Sequence, residues 1–241
     1  MAEGGKKLET EDESPPPYSS THPIGTCGYN IYPGMPEDKT NSCKKPSTPS
    51  VICDEKIPLK GDSVLIAQVI KAADLAARRH RNQRRGDPNQ TPYVNHPIGV
   101  AYILTNEAKI TDVATIVAAI LHDVVEDTKT TFEEIQEQFG DEVCRLVKEC
   151  TVDKKCSKDE RRKQKIELAP HLTRKAIQAK MIELANQLYN ARDVERVNPV
   201  GWNSHKKKDF FKWTKEYVAK LKGSNDALEA ALDDVINKNL N

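Results

Sequence analysis

The run Asp112 to Thr128, DVATIVAAILHDVVEDT, decides both the fold class and the chemistry of this chain. Val113, Ile116, Val117, Ile120, Leu121, Val124 and Val125 recur at spacings of three and four. That is the period of one buried helical face, so the run is expected to be a single helix, with Thr111 or Asp112 as its cap. Its last turns carry His122, Asp123, Glu126 and Asp127. His122 and Glu126 are four apart, as are Asp123 and Asp127, and each pair stacks on one side of a helix. Neighbouring positions differ by only ~100°, so all four side chains can reach one pocket. Three carboxylates among aliphatic neighbours repel one another and are costly to desolvate without a cation. A divalent metal removes that cost, and imidazole with carboxylate oxygen suits Mn, Fe or Zn. The plainer alternative is a solvated helix end carrying ordinary charges.

Upstream, Thr91-Pro92-Tyr93-Val94-Asn95-His96-Pro97 places His96 before a proline. Extended backbone is expected there, with a helix starting at Pro97 and running through Ile98, Val100, Ala101, Ile103 and Leu104. A histidine at a helix entrance can point across to the His-Asp pair of a second helix, although a lone histidine is more often structural. Before it, Asp62 or Ser63 caps a helix expected to reach about Gln83, with Val64, Ile66, Ala67, Ile70, Ala73, Leu75, Ala76 and Ala77 as its apolar face. The basic run Arg78 to Arg85 follows, closed by the turn Gly86-Asp87-Pro88. Such a run is usually a solvated face, but arginine also suits phosphate and stacks on a base, and Arg85 is the candidate for that role. Residues 1–60 are dominated by Pro, Ser, Thr, Gly and Lys without apolar periodicity and read as a disordered tail. Within it, Pro15-Pro16-Pro17-Tyr18 fits the PPxY pattern bound by WW domains; a passive tail is the alternative.

Downstream, Thr131 caps FEEIQEQF, closed by Gly140, and a further helix holds Val143, Leu146 and Val147. The charged segment from Asp153 to Leu168 reads as a helix with a wet face, from which Lys158 could touch phosphate. After a break at Pro170-His171, a helix over about Arg174–Val197 buries Ile177, Met181, Leu184, Leu188 and Tyr189. Asn186 and Asn190 are four apart on it, as interhelical hydrogen-bonding groups or as the lining of a cavity. A helix over Lys206–Leu221 carries Phe210, Phe211, Trp213 and Tyr217, most simply as core. Ser224 or Asn225 starts the last helix. No strand pattern of any length is present, so the domain, residues 61–241, is expected to be all-α.

The bulk numbers agree. A net charge of +1 over 241 residues gives no global field for nucleic acid or membrane. No apolar run approaches the length of a membrane span, and the N-terminus lacks a signal-like apolar core. Six cysteines without CxxC or zinc-finger spacing read as reduced thiols of a cytoplasmic protein.

Taken together, HP at His96, HDxxED at His122–Asp127 and LYNxRD at Leu188–Asp193 resemble the HD-domain phosphohydrolases, specifically the small metazoan SpoT-type hydrolases of guanosine 3′,5′-bis(diphosphate). The resemblance spans residues from about 62 to 238 and none of the tail. It implies a compact all-helical bundle holding one Mn²⁺, with ligands at His96, His122, Asp123 and Asn186. It implies that Glu126 and Asp127 handle the hydrolytic water, that Arg85 stacks on guanine, that Asn190 faces the nucleotide and that Lys158 faces phosphate. It further implies removal of the 3′-pyrophosphate of the alarmone in a starvation response, with a related activity on NADPH. The chain departs from the family pattern on one side of the pocket. Asn186 stands where the family has Asp, and Glu183 and Gln187 stand where it has lysines; Gly86 replaces a basic residue after Arg85. Asparagine offers a neutral oxygen in place of an anionic one, so a weakly active or inactive nucleotide-binding relative is the alternative reading.

Overall fold

The computed structural model describes residues 61–152, 156–169 and 177–241 of the chain, and among them alternating burial at three- and four-residue spacing builds ten α-helices. Among the described residues there is no strand, only one antiparallel bridge between Arg84 and Pro92. The architecture is therefore all-α, as the periodicity requires. No helix among these residues is long and apolar enough to cross a membrane. The expected tail with Pro15–Tyr18, the side chain of Lys158 and the break at Pro170-His171 lie outside the described residues.

The helices are α1 (Gly61–Arg79), α2 (Asn95–Asn106), α3 (Val113–Leu121), α4 (Val124–Asp127) and α5 (Phe132–Phe139), followed by α6 (Asp141–Cys150), α7 (Lys158–Leu168), α8 (Ile177–Arg196), α9 (Ser204–Leu221) and α10 (Asp226–Leu240). Caps sit where side-chain oxygens can satisfy free N–H groups. Asp112 accepts from Thr115 N, Thr131 from Glu134 N, Asn203 from Lys206 N and Asn225 from Leu228 N. Ser157 and Glu160 form a reciprocal capping box at α7. Gly140 closes α5 at φ +89°, a conformation other residues adopt only with strain.

α8 is the axis of the bundle, packing against α2, α3, α6, α9 and α10. Met181, Ile182, Leu184 and Leu188 are buried along it, and so are the polar Glu183, Asn186 and Gln187. A helix buried nearly all round gains about 1.5–3 kcal/mol from each large apolar side chain, and its buried polar groups must find partners.

Four local expectations are corrected. The run Asp112–Thr128 is not one helix: it breaks at His122-Asp123 into α3 and α4. The His122 ring donates to the Ala119 carbonyl at 2.7 Å, taking up an end carbonyl of α3. Asp123, at φ −95° and ψ −8°, sits in the sparsely used bridge region. His96 lies inside α2 rather than in extended backbone before it, because a proline in the first helical turn forfeits no hydrogen bond. α1 ends at Arg79 instead of Gln83, and Val64, Ile66 and Ile70 are exposed; its buried positions are Ala72, Leu75 and Ala76, all in the second half. Ile177, expected in the core, is exposed at the start of α8.

Candidate functional site

The break between α3 and α4 brings the charged end of the motif to a point. With Nδ1 of His122 donating to Ala119, Nε2 is left as a bare acceptor. That nitrogen lies 3.1 Å from Asp123 Oδ2, and His96 Nε2, arriving from α2, lies 3.4 Å from the same oxygen. One ligand atom from each of the three residues falls within 4.8 Å of the others. Both imidazoles are buried, their rings meeting edge to face at 5.3 Å. His122 Nε2 has no hydrogen-bond partner. Two imidazole nitrogens and a carboxylate oxygen converge in a buried place, a donor set that fits a divalent metal.

Electrostatics treat the two imidazoles differently. Burial pushes His96 down to about 4, so it is the neutral, ligating form at neutral pH. Burial opposes the charge on His122 too, but the Asp123 carboxylate and the Ala119 carbonyl outweigh it and raise that imidazole. Burial likewise opposes the Asp123 charge, yet the two histidines hold its carboxyl well below the usual range. The Tyr93 hydroxyl donates to Asp123 Oδ2 at 2.6 Å; burial and the neighbouring Asp123 push it up, which keeps it a donor.

α4 adds Glu126 and Asp127 to the same cavity, of about 510 Å³. Glu126 is raised by burial, against the opposing charge of Lys165, and accepts from Arg161 Nη1 at 3.0 Å. Asp127 Oδ2 accepts from Gln83 Nε2 at 2.8 Å, and the other end of that amide contacts His80 Nδ1 at 2.7 Å. Because a carbonyl oxygen can only accept, His80 Nδ1 is the donor there.

α8 lines the cavity with Asn186 and Asn190. Asn190 Nδ2 donates to Asn186 Oδ1 at 2.8 Å, and Arg85 Nη2 donates to Asn190 Oδ1 at 2.8 Å. In this arrangement the Asn186 oxygen is engaged by Asn190. Half a turn of the amide would face that oxygen elsewhere, but its N–H would then meet the N–H of Asn190, so Asn190 would have to turn as well. An aspartate would serve both neighbours without turning. Arg85 is also paired with Asp193 at 3.0 Å and lies 5.6 Å from the ring centres of both Tyr93 and Tyr189. A second hollow of about 420 Å³, which shares Arg85 and Gly86 with the first, continues past Tyr189 and Asp193.

Thus His96, Asp123, Glu126, Asp127, Asn186, Asn190 and Arg85 all border one cavity, with His122 buried behind them. The sequence reading missed Tyr93, Gln83, Arg161 and Lys165. The last two sit four apart on α7, with Arg162 beside them; that spacing on one helical face was the available signal. It also missed Gly99. A Cβ there would fall 2.0 Å from the Tyr189 ring, which packs edge-on against His96 at 5.0 Å.

A family model described as "HD domain" matches residues 72–210. The chain belongs to the HD-domain family. This HD-domain chain is 52% identical over 166 residues to the mouse guanosine-3′,5′-bis(diphosphate) 3′-pyrophosphohydrolase MESH1, covering 69% of this chain and 91% of the relative. The human protein of the same name matches with the same identity and coverage. The Drosophila melanogaster one is 45% identical over 169 residues, covering 70% of this chain and 93% of its own. A solved structure described as a metazoan ortholog of SpoT that hydrolyzes ppGpp and plays a role in starvation responses aligns to this HD-domain chain with a TM-score of 0.69 and 44% identity, covering 71% of this chain and 95% of that one.

Proposed function

We propose that this chain is a metal-dependent hydrolase that removes the 3′-pyrophosphate of guanosine 3′,5′-bis(diphosphate), leaving GDP and pyrophosphate. The observation that carries the reading is the convergence of His96, His122 and Asp123 on one point, with the unpartnered His122 Nε2 among them. Relatives with about half of their residues in common carry that activity in their names. We assign the ion to His96, His122, Asp123 and Asn186, and its identity to Mn²⁺, for which imidazole and carboxylate oxygen are suitable donors. When bound, such an ion polarises a phosphoryl oxygen and lowers the pKa of water.

The rest falls to the chain's own groups. Glu126, raised by burial toward the pH at which it works, takes the proton of the attacking water. Asp127, steadied by Gln83, orients that water. The water oxygen bonds to the phosphorus nearest the ribose, the bond from that phosphorus to the 3′ oxygen breaks, and the oxygen leaves with a proton. Arg85 and Asn190 hold the nucleoside end, and Lys158 is assigned to the phosphates. The catalytic domain is residues 61–241. The Pro15–Tyr18 motif of the tail is assigned as a WW-domain ligand, and a cytoplasmic setting suits the free Cys144, Cys150 and Cys156.

One observation favours a second reading. With the Asn186 oxygen accepting from Asn190, the fourth ligand is neutral and already engaged; a chain that binds the nucleotide and turns it over weakly follows from that. Assay of the full chain with Mn²⁺ and guanosine tetraphosphate decides between the two. Robust release of pyrophosphate, abolished in His122→Ala, supports the hydrolase. Turnover near background that rises steeply in Asn186→Asp supports the weak binder. Absence of turnover in both, with no metal retained by either, overturns the assignment.

A further inference from the structure

Three cations of α7, Arg161, Arg162 and Lys165, border the cavity. Two have settled partners: Arg161 is paired with Glu126 at 3.0 Å, and Arg162 lies 5.2 Å over the Trp213 ring. Lys165 is held differently. Its ammonium reaches both oxygens of Glu183, at 3.3 and 3.4 Å, and the Tyr217 hydroxyl donates to Glu183 Oε2 at 3.1 Å. The Glu183 side chain is only 3% exposed. Burial disfavours the Lys165 charge, but Glu183, Glu126 and Asp123 outweigh it and hold the group above the usual lysine range, so it stays charged.

A buried ion pair of this kind is a poor stabiliser, since a well-packed apolar pair does as well or better. Its placement beside a polar cavity gives it another use. An ammonium has three N–H donors and the two long contacts to Glu183 engage two of them, so one is available to an oxygen entering the cavity. Asp123, Glu126 and Asp127 border the same space, and an anionic phosphoryl group needs a cation to approach three carboxylates.

We propose that Lys165, aimed by Glu183 and Tyr217, is a binding subsite for the pyrophosphate group, donating to its non-bridging oxygens beside Glu126. The inference deepens the hydrolase reading and rests on it for the identity of the anion. Glu183 and Tyr217 are positioning residues: they touch Lys165 or each other, not the substrate.

The test is calorimetric titration of inorganic pyrophosphate into the full-length chain carrying one equivalent of Mn²⁺. The Lys165→Met/Glu183→Gln double variant removes both charges at once, leaving no unpaired ion. It is expected to bind pyrophosphate roughly tenfold or more weakly, the loss of one charge-assisted hydrogen bond, and to raise KM more than it lowers kcat. The exchanged pair, Lys165→Glu/Glu183→Lys, keeps a cation in the same contact and is expected to recover part of the affinity. Lys165→Asn/Glu183→Gln, which also removes both charges and differs in shape, is the second neutral variant should the first not fold, and is read the same way. Unchanged pyrophosphate affinity in a folded neutral variant overturns the subsite. A native chain that binds pyrophosphate through Lys165 yet fails to hydrolyse the alarmone would overturn the hydrolase reading instead, and leave this one standing.

Discussion

The corner between α3 and α4 and the side of the cavity built by α7 and α8 hold their polar groups by different means. At the corner, three side chains are each fixed by a separate neighbour: His122 by the Ala119 carbonyl, Asp123 by Tyr93, Asp127 by Gln83. Their remaining lone pairs are left for a ligand. On the other side the polar groups hold one another: Lys165 with Glu183 and Tyr217, Asn186 with Asn190, Asn190 with Arg85. A substitution at the corner removes a ligand from a prepared frame. A substitution on α7 or α8 rearranges partners and tunes what remains.

Breaking the corner is expected to have the largest effect. His122→Ala should abolish retained metal, measured by elemental analysis of the purified protein, and take activity with it; loss of mere supporting partners costs ~10–100-fold, and a direct donor more. Glu126→Gln should leave metal binding intact and lower kcat by about 10²–10⁴, the usual worth of a positioned base. In the native chain the acid limb of the pH profile should lie above the usual glutamate range, because burial raises Glu126 and the active form is the carboxylate. Since the Lys165 charge opposes that rise, its neutral variants should move the limb to still higher pH. Asn186→Asp sharpens the contrast from the other side: one negative charge is restored, and metal affinity should rise ~10–100-fold in a direct titration. The smallest effect is expected from Gly99→Ala. The Tyr189 ring must give way, at about 1–3 kcal/mol of stability read by thermal unfolding, with a higher KM because Arg85 loses one of its two flanking rings.

The same division explains what could be read from the sequence. His122, Asp123, Glu126 and Asp127 lie within one short run, so local spacing alone brings them together, and His96 is marked by its proline. The caps at Thr131 and Asn225 were legible for the same reason. Lys165 and Glu183 come from different helices, and only packing reveals that they meet. Periodicity also misjudged α1: Ile66 and Ile70 lie on the side away from Ala72, Leu75 and Ala76, and Val64, which shares the face of those three, is exposed as well, because burial depends on where a neighbouring helix passes. The kink at His122-Asp123 was hidden because it comes from a side chain taking a backbone acceptor, which the spacing of apolar residues does not register.

The run Arg85–Asn190–Asn186 has a direction. Every link passes a donor from Arg85 toward Asn186, and each amide has one donating and one accepting face. Reversing Asn186 therefore obliges Asn190 to change what it offers, and with it the grip of Arg85. Mutations at the two ends should be epistatic: an aspartate at 186 can only accept, so it locks Asn190 as a donor there whatever stands at 85, and the two changes will not combine as independent steps.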